Sequence, residues 1–194
     1  MQNFVFLIFA YLVGSIPTGY LFCKYVIGIN VTQHGSGNIG ATNVARTTGK
    51  KKLFLLILSI DALKAYLVLL AGQAVNLSQN LLLITAVTLL IGNAYSVFLK
   101  FKGGKGVATS LGILVFFLPV WLIIAAAITW LLILLITAHV FIASLITPWV
   151  VLILMFLTPK STMHAFVFLI FLSLWSLFRH KSNLNSFYKS FKRD

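Results

Sequence analysis

The sequence predicts an all-α, polytopic membrane protein with seven transmembrane helices. Its 194 residues are 60% hydrophobic and only 9% charged, and their mean hydropathy is +1.04. A water-soluble domain with this composition could not cover its surface with polar groups. Apolar runs recur along the chain, most of them close to the ~20 residues that a helix needs to cross a bilayer. The whole chain, 1–194, is therefore predicted to be a single membrane domain.

The apolar runs define the predicted spans. The run 107–137 is too long for one ordinary span and contains Pro119, which favours dividing it there. Pro17, flanked by Gly14 and Gly19, predicts a kink or a break inside the first span. The predicted spans are 4–24, 53–72, 80–99, 107–118, 120–137, 140–158 and 164–178.

Basic residues predict the orientation, because cytoplasmic loops of membrane proteins are enriched in Lys and Arg. The segment 72–80 contains neither residue type. The N-terminus is therefore expected outside, and the loops 25–52, 100–106 and 138–144 and the tail 179–194 are expected in the cytoplasm. An outside start and a cytoplasmic end require an odd number of spans, which supports dividing the fourth run at Pro119.

The net charge of +13 is also consistent with affinity for anionic membrane lipids, especially at the basic tail. Nucleic acid is not an expected partner, since no soluble basic domain remains once the apolar runs are removed. Two carboxylates and one thiol in the whole chain make a metal centre unexpected. A Ser–His–Asp or covalent cysteine mechanism also lacks its parts.

Two glycine-rich basic segments interrupt the apolar sequence. Glycine loop 1 is 35–43, followed by Arg46, and glycine loop 2 is 101–106, which contains Lys105. Glycine lets several backbone N–H groups turn towards one point, and nearby cations neutralise an oxyanion. Neither loop fits a nucleotide fingerprint, because loop 1 follows a membrane helix rather than a strand and loop 2 lacks the Walker A spacing.

The alternative is that the glycines only form turns and the cations only mark topology. Two such loops on one predicted membrane face favour a phosphate site instead, since phosphate is a common ligand of such loops. The candidate catalytic residues are Lys105, Arg46 and Ser36. The candidate phosphate-binding residues are Gly35, Gly37, Asn38, Thr42, Asn43, Gly103, Gly104 and Gly106.

Two polar pairs accompany the loops. Asp61 and Lys64 are three residues apart on one face of the second predicted span, where an unpaired charge is costly. They either form an ion pair that fixes packing, or Asp61 supports the site by anchoring Arg46 or Lys105. His180 and Asn183 share one side of a helix end at the predicted cytoplasmic boundary. They are either interfacial residues or further substrate-binding residues.

These segments together resemble the bacterial acyl-phosphate-dependent glycerol-3-phosphate acyltransferases. The resemblance extends over essentially the whole chain, in order and spacing. It implies a seven-span inner-membrane enzyme with its active site on the cytoplasmic side, using no cofactor and no coenzyme A or acyl carrier protein as direct acyl donor. The segments that carry it are 14–19, 35–46, Asp61-x-x-Lys64, 101–109 and Arg179-His180-x-x-Asn183.

The implied reaction transfers a fatty acyl group from acyl phosphate to glycerol 3-phosphate and releases lysophosphatidic acid and phosphate, a step of phospholipid biosynthesis. A soluble enzyme that forms acyl phosphate is the implied functional partner. We expect Lys105 and the Gly103–Gly106 backbone to hold one phosphate, and Arg46 with Ser36, Asn38 and Asn43 to hold the other. His180 and Asn183 would close the site.

Four positions depart from the family pattern: Thr32 replaces an Arg, Asn93 a His, Ser96 a Pro and Phe141 a hydroxyl residue. Two other functions stay open at this point. A transporter of a phosphorylated solute would also need anion-binding loops, although the short, nearly uncharged outer connections and the lack of a repeat do not favour it. An inactive relative would explain the four departures.

Overall fold

The computed structural model describes residues 1–157 and 163–192, and within these ranges the chain is helical and contains no β-strand. The all-α prediction is confirmed. The far ends of the predicted span 140–158 and of the tail 179–194 lie outside the described residues. The helices are α1 Gln2–Ser15, α2 Thr18–Phe22, α3 Ala41–Thr48, α4 Lys52–Ala74, α5 Gln79–Ala94, α6 Val107–Phe117, α7 Val120–Thr137, α8 Val140–Phe156, α9 Met163–Arg179 and α10 Lys181–Phe191.

Helix length and composition identify the segments that can cross a bilayer. Among the described residues, α4, α7 and the segment 79–99 are each long and apolar enough alone. Two bent pairs also qualify together: α1 with the segment 18–27, bent by 44°, and α9 with α10, bent by 48°. The remaining apolar helices, α6 and α8, are shorter. The chain is a multi-pass membrane protein, and the count of seven spans stays a prediction.

Two predicted loops contain more helix than expected. The segment 25–52 includes α3, which follows directly from glycine loop 1. The predicted loop 138–144 is reduced to Ala138 and His139, because Ala138 adopts the left-handed conformation (φ 55°) that ends α7 and α8 begins at Val140. Phe141 and Ser144 therefore lie in the first turns of a helix. The basic tail also forms a helix, α10, as far as Phe191.

The chain divides into two compact units, Met1–Phe116 and Phe117–Asp194. In the first, α1 packs along α5 through two glycines. A Cβ placed at Gly14 would lie 2.5 Å from the carbonyl oxygen of Leu89, and one placed at Gly92 would collide with the carbonyl oxygen of Tyr11. Such small residues let membrane helices approach closely. The contact fixes the end of α5, from which glycine loop 2 continues.

The break predicted at Pro17 is confirmed, since α1 ends at Ser15 and α2 begins at Thr18. Helix α4 supplies partners to the interrupted segment. Lys64 Nζ donates to the carbonyl oxygen of Ile16 at 2.8 Å, and the Thr18 hydroxyl donates to Asp61 Oδ1 at 2.7 Å. Irregular backbone persists in a membrane protein where protein groups satisfy it in this way.

The ion pair predicted between Asp61 and Lys64 is also confirmed, with Nζ and Oδ1 2.7 Å apart. Both side chains are about nine-tenths buried (11% and 10% exposed). The pair is thus part of the same network that holds the break, and it fixes packing. The partners that the structure gives the Asp61 carboxylate are Lys64 and Thr18 rather than Arg46 or Lys105.

In the second unit, α8 packs against both α7 and α9. Pro148 lies inside α8 and has no N–H, so the carbonyl of Ser144 four residues earlier loses its helical partner. The Ser176 hydroxyl of α9 donates to that carbonyl at 3.0 Å. Trp130 Nε1 of α7 donates to the Ser144 hydroxyl at 3.2 Å. Ser144 therefore links all three helices.

Candidate phosphate-binding site

Glycine loop 1 is organised around the side chain of Asn43, which is 3% exposed. Its Nδ2 donates to the backbone oxygens of Val31, His34 and Asn38 at 3.2, 3.1 and 2.8 Å. Its Oδ1 accepts the N–H of Ser36 at 2.9 Å. Sequence analysis placed Asn43 among the phosphate-binding residues. In the structure its amide is bonded to the loop itself and helps to set the loop's shape, while its place among the phosphate-binding residues stays a prediction.

Two glycines of this loop have left-handed backbone conformations, Gly35 with φ 60° and Gly37 with φ 69°. A Cβ on Gly35 would also collide with Asn43 Oδ1. Asn38 Oδ1 accepts the N–H of Gly40 at 2.8 Å, immediately before α3 begins. The loop thus ends at a helix N-terminus, where the first N–H groups have no acceptor within the helix and attract anions.

The cation and hydroxyls of loop 1 lie at this helix end. Arg46 and Ser36 are exposed, and Thr42, in the first turn of α3, is half-buried. Within residues 1–157 and 163–192 no carboxylate forms an ion pair with the Arg46 guanidinium. Its five donors are therefore available to an anion, and the guanidinium geometry suits two phosphate oxygens at once.

Glycine loop 2 is fixed to the end of α5. Gly104 N–H donates to the carbonyl oxygen of Asn93 at 2.9 Å, and a Cβ on Gly103 would collide with that same oxygen. Gly106 has φ 85° and precedes α6, whose Ser110 hydroxyl donates to the Gly106 carbonyl at 2.8 Å. This loop also ends at a helix N-terminus, with the half-buried Lys105 beside it.

The interrupted segment between α1 and α2 supports both loops. On one side, the Ser96 hydroxyl, just before loop 2, donates to the carbonyl oxygen of Ser15 at 2.6 Å. On the other, Gly19 lies so close to the carbonyl of Ile39 in loop 1 that a Cβ would collide with it. Ser15 and Gly19 are four positions apart in the chain, so these two supports are at most about 14 Å apart. Both glycine loops are therefore anchored on the same short segment of the first unit.

The departures from the family pattern have local partners in the structure. Thr32 donates through its N–H (3.2 Å) and its hydroxyl (2.8 Å) to Asn30 Oδ1. Ser96 forms the bond to Ser15 described above, which a proline could not make. Phe141 packs edge-to-face on His139 and Phe187. These three substituted side chains are therefore integrated into their own surroundings.

His180 and Asn183 lie in the second unit. His180, which is 3% exposed, occupies the junction between α9 and α10. Its carbonyl accepts the N–H of Leu184 in α10 at 3.0 Å. Asn183 is half-buried in the first turn of α10. Their role in closing the site stays a prediction. In the part of the chain that the structure describes, no three His, Cys, Asp or Glu side chains form a metal-ligand group.

Comparison with known proteins decides the family. Residues 4–190 match the family model described as glycerol-3-phosphate acyltransferase. The chain belongs to the glycerol-3-phosphate acyltransferase family.

Relatives within this acyltransferase family align along most of their length. The glycerol-3-phosphate acyltransferase of Desulforudis audaxviator is 43% identical over 180 residues, which are 93% of this chain and 89% of that protein. The Fusobacterium nucleatum protein of the same name is 36% identical over 185 residues, covering 95% and 94% of the two chains.

Solved structures of PlsY (YgiH), an integral membrane glycerol 3-phosphate acyltransferase, share the fold. The glycerol 3-phosphate form has a TM-score of 0.86 at 31% identity, covering 98% of this chain and 94% of that chain. The lysophosphatidic acid form has a TM-score of 0.84 at 32% identity, covering 98% and 93%.

Two features of this acyltransferase were not evident from its sequence. One is that both glycine loops lead into helix N-termini, at Ala41 and Val107. The sequence signal that could have shown it is a glycine, Gly40 or Gly106, directly before each helical stretch. The other is the shared support by the segment 15–19, which depends on contacts between distant parts of the chain.

Proposed function

We propose that this protein transfers a fatty acyl group from acyl phosphate to glycerol 3-phosphate, forming lysophosphatidic acid and inorganic phosphate. The observation that supports it best is the pair of glycine loops, each ending at a helix N-terminus and each accompanied by a cation, Arg46 or Lys105. Both substrates carry a phosphate, and the first unit provides two neighbouring places to bind one.

The chemistry requires positioning more than a reactive side chain. A hydroxyl oxygen of glycerol 3-phosphate attacks the acyl carbon, and the bond from that carbon to the phosphate oxygen breaks. The phosphate leaves with the bonding electrons, and one of its oxygens accepts the hydroxyl proton. Such a displacement needs two anions bound side by side. Lys105, Arg46 and backbone N–H groups neutralise their charge.

Each cation has a separate role in this proposal. Lys105 with the backbone of Gly103–Gly106 binds one phosphate, and Arg46 with Ser36 and Asn38 binds the other. Asn43 holds the second set in place through its bonds to the loop backbone. His180 and Asn183 are further candidate substrate-binding residues, while Asp61 and Lys64 support the site by holding the break at Pro17.

We further propose seven spans in the bacterial inner membrane, with the N-terminus outside and both glycine loops in the cytoplasm. The distribution of Lys and Arg supports this orientation. In that arrangement water-soluble glycerol 3-phosphate reaches the site from the cytoplasm. The acyl phosphate is supplied there by a soluble enzyme, and the acyl chain of this substrate lies among the helices.

The test uses purified protein in detergent with acyl phosphate and radiolabelled glycerol 3-phosphate. Formation of labelled lysophosphatidic acid with an equal amount of released phosphate is the expected result. Acyl-coenzyme A and acyl carrier protein thioesters serve as parallel donors and should give no product. Uptake of label into reconstituted vesicles without acylated product would contradict the proposal and indicate a transporter. Absence of both activities in folded protein would indicate an inactive relative.

A further inference from the structure

Asn93, at the end of α5, is a buried polar residue to which the mechanism above gives no role. It is 7% exposed. Its backbone carbonyl receives the N–H of Gly104 at 2.9 Å, and this bond fixes glycine loop 2. Within residues 1–157 and 163–192, its side-chain amide forms no hydrogen bond to another protein group, in contrast to the fully engaged amide of Asn43. A mostly buried side chain whose amide forms no bond within the described protein keeps its hydrogen-bonding capacity for a ligand or water.

The Asn93 side chain lies against loop 2. A Cβ placed on Gly104 would be 2.9 Å from Asn93 Oδ1 and 3.7 Å from Nδ2. The amide is therefore beside the residue that directly precedes Lys105. Glycine at 104 leaves the room for this contact, since a Cβ there would require the amide oxygen to shift.

We propose that the Asn93 amide is a substrate-binding group that donates a hydrogen bond to the phosphate held by glycine loop 2. This inference rests on the proposed function, because it assumes that loop 2 binds a phosphate of one of the two substrates. The amide adds a neutral donor to a site whose other groups are Lys105 and the loop backbone. It orients the phosphate without adding charge. The substrate bound at loop 2, acyl phosphate or glycerol 3-phosphate, is then held in one geometry.

The ligand chemistry is a phosphate monoester or acyl phosphate, and either substrate could supply it. The two sources are distinguished kinetically by varying one substrate while the other is saturating. The substrate whose KM responds to substitution at Asn93 is the one bound at loop 2.

The experiment measures kcat and KM for both substrates in Asn93→Leu and Asn93→Asp, two replacements of nearly the same size. Loss of a hydrogen bond to a charged group predicts a rise in one KM of about tenfold or more for Asn93→Leu, with the other KM within about twofold of wild type. Asn93→Asp adds a negative charge beside the phosphate and should raise the same KM further at pH 8. Asn76→Asp, an exposed position at the end of α4, carries the same added charge and should behave like wild type.

The pH dependence separates substrate binding from a purely structural role. Protonation of the introduced carboxyl removes the repulsion and restores a donor. The activity ratio of Asn93→Asp to wild type should therefore increase as the pH falls from 8 to 5.5. Thermal unfolding in detergent verifies that each variant is folded.

Unchanged KM values in folded Asn93→Leu, or a lower kcat with both KM values unchanged, would overturn the inference. A constant Asn93→Asp to wild-type ratio across the pH range would also overturn it, and this measurement remains available if the leucine variant fails to fold. Wild-type protein without acyltransferase activity would contradict the proposed function itself, which is a different outcome.

Discussion

The backbone N–H of Ser36 donates to Oδ1 of Asn43, seven residues later, at 2.9 Å. The same amide donates from Nδ2 to three carbonyl oxygens of the preceding segment. One side chain thus closes glycine loop 1 and holds it at the start of α3. The Ser36 hydroxyl and Arg46 are presented from a loop whose shape depends on a residue that does not itself need to contact a ligand.

Asn43→Asp should therefore abolish most activity. The aspartate carboxylate can still accept the N–H of Ser36, but it lacks the two N–H donors of Asn43 Nδ2. The carbonyl oxygens of Val31, His34 and Asn38 then face a negatively charged carboxylate. Hydrogen bonds contribute about 1 kcal/mol each, so a fall in kcat/KM of roughly 100-fold is expected. Steady-state kinetics measure it, and Asn185→Asp on exposed α10 is the matched control. Activity within threefold of wild type would contradict the role of Asn43.

Removing one member of the Asp61–Lys64 pair should destabilise the protein strongly. A buried charge left without its partner typically costs about 3–5 kcal/mol. Lys64→Met also removes the donor to the Ile16 carbonyl. The double variant Asp61→Asn with Lys64→Met should lose less stability than the sum of the single variants, as measured by unfolding in detergent. Additive losses would show that the two side chains do not act as a pair.

Alanine at Gly92 should disturb both stability and glycine loop 2. The added methyl group meets the backbone of α1, and overpacking typically costs about 1–3 kcal/mol. Because Asn93 follows directly, the anchor of Gly104 moves with it, so kcat/KM should fall as well. Ala71→Leu, on an exposed part of α4, adds more volume and should have little effect. If Gly92→Ala is as stable and active as the control, the close contact of α1 and α5 is not needed.

The stability that the Ser176–Ser144 hydrogen bond contributes should depend on Pro148. Ser176→Ala leaves the Ser144 carbonyl without a donor and should cost about 0.6 kcal/mol, the average for polar contacts between membrane helices, and at most about 1.7 kcal/mol. In the background of Pro148→Ala, the restored N–H can bind that carbonyl, so Ser176→Ala should then cost less. A double-mutant cycle of unfolding free energies measures the difference. A coupling energy of zero would contradict the compensation.

Patterns close together in the sequence predicted much of this architecture. Hydropathy gave the helical class, Pro17 predicted the break, and the spacing of Asp61 and Lys64 predicted their ion pair. Each of these features depends on residues within a few positions of one another. The family resemblance added the reaction and the significance of the paired loops.

Contacts between distant residues were not predictable in this way. The sequence could not show that Lys64 reaches the Ile16 carbonyl, 48 residues away, or that Ser96 donates to Ser15, 81 residues away. It also suggested that Asn43 binds ligand, because amides are common in phosphate sites. The structure shows that this amide is bonded to the loop, while Asn93, noted only as a departure from the family pattern, lies against Gly104 of glycine loop 2.

The central claim is that the two glycine loops form two phosphate-binding halves of one acyltransferase site. The most direct test is the rate of phosphate release from acyl phosphate and glycerol 3-phosphate by Arg46→Ala and Lys105→Ala, with exposed Lys50→Ala as the charge-matched control. Each site variant should lose about tenfold to hundredfold in kcat/KM, the cost of a charge-assisted hydrogen bond. Each should raise KM chiefly for a different substrate, while Lys50→Ala matches wild type. Unchanged phosphate release in either folded site variant would contradict the account.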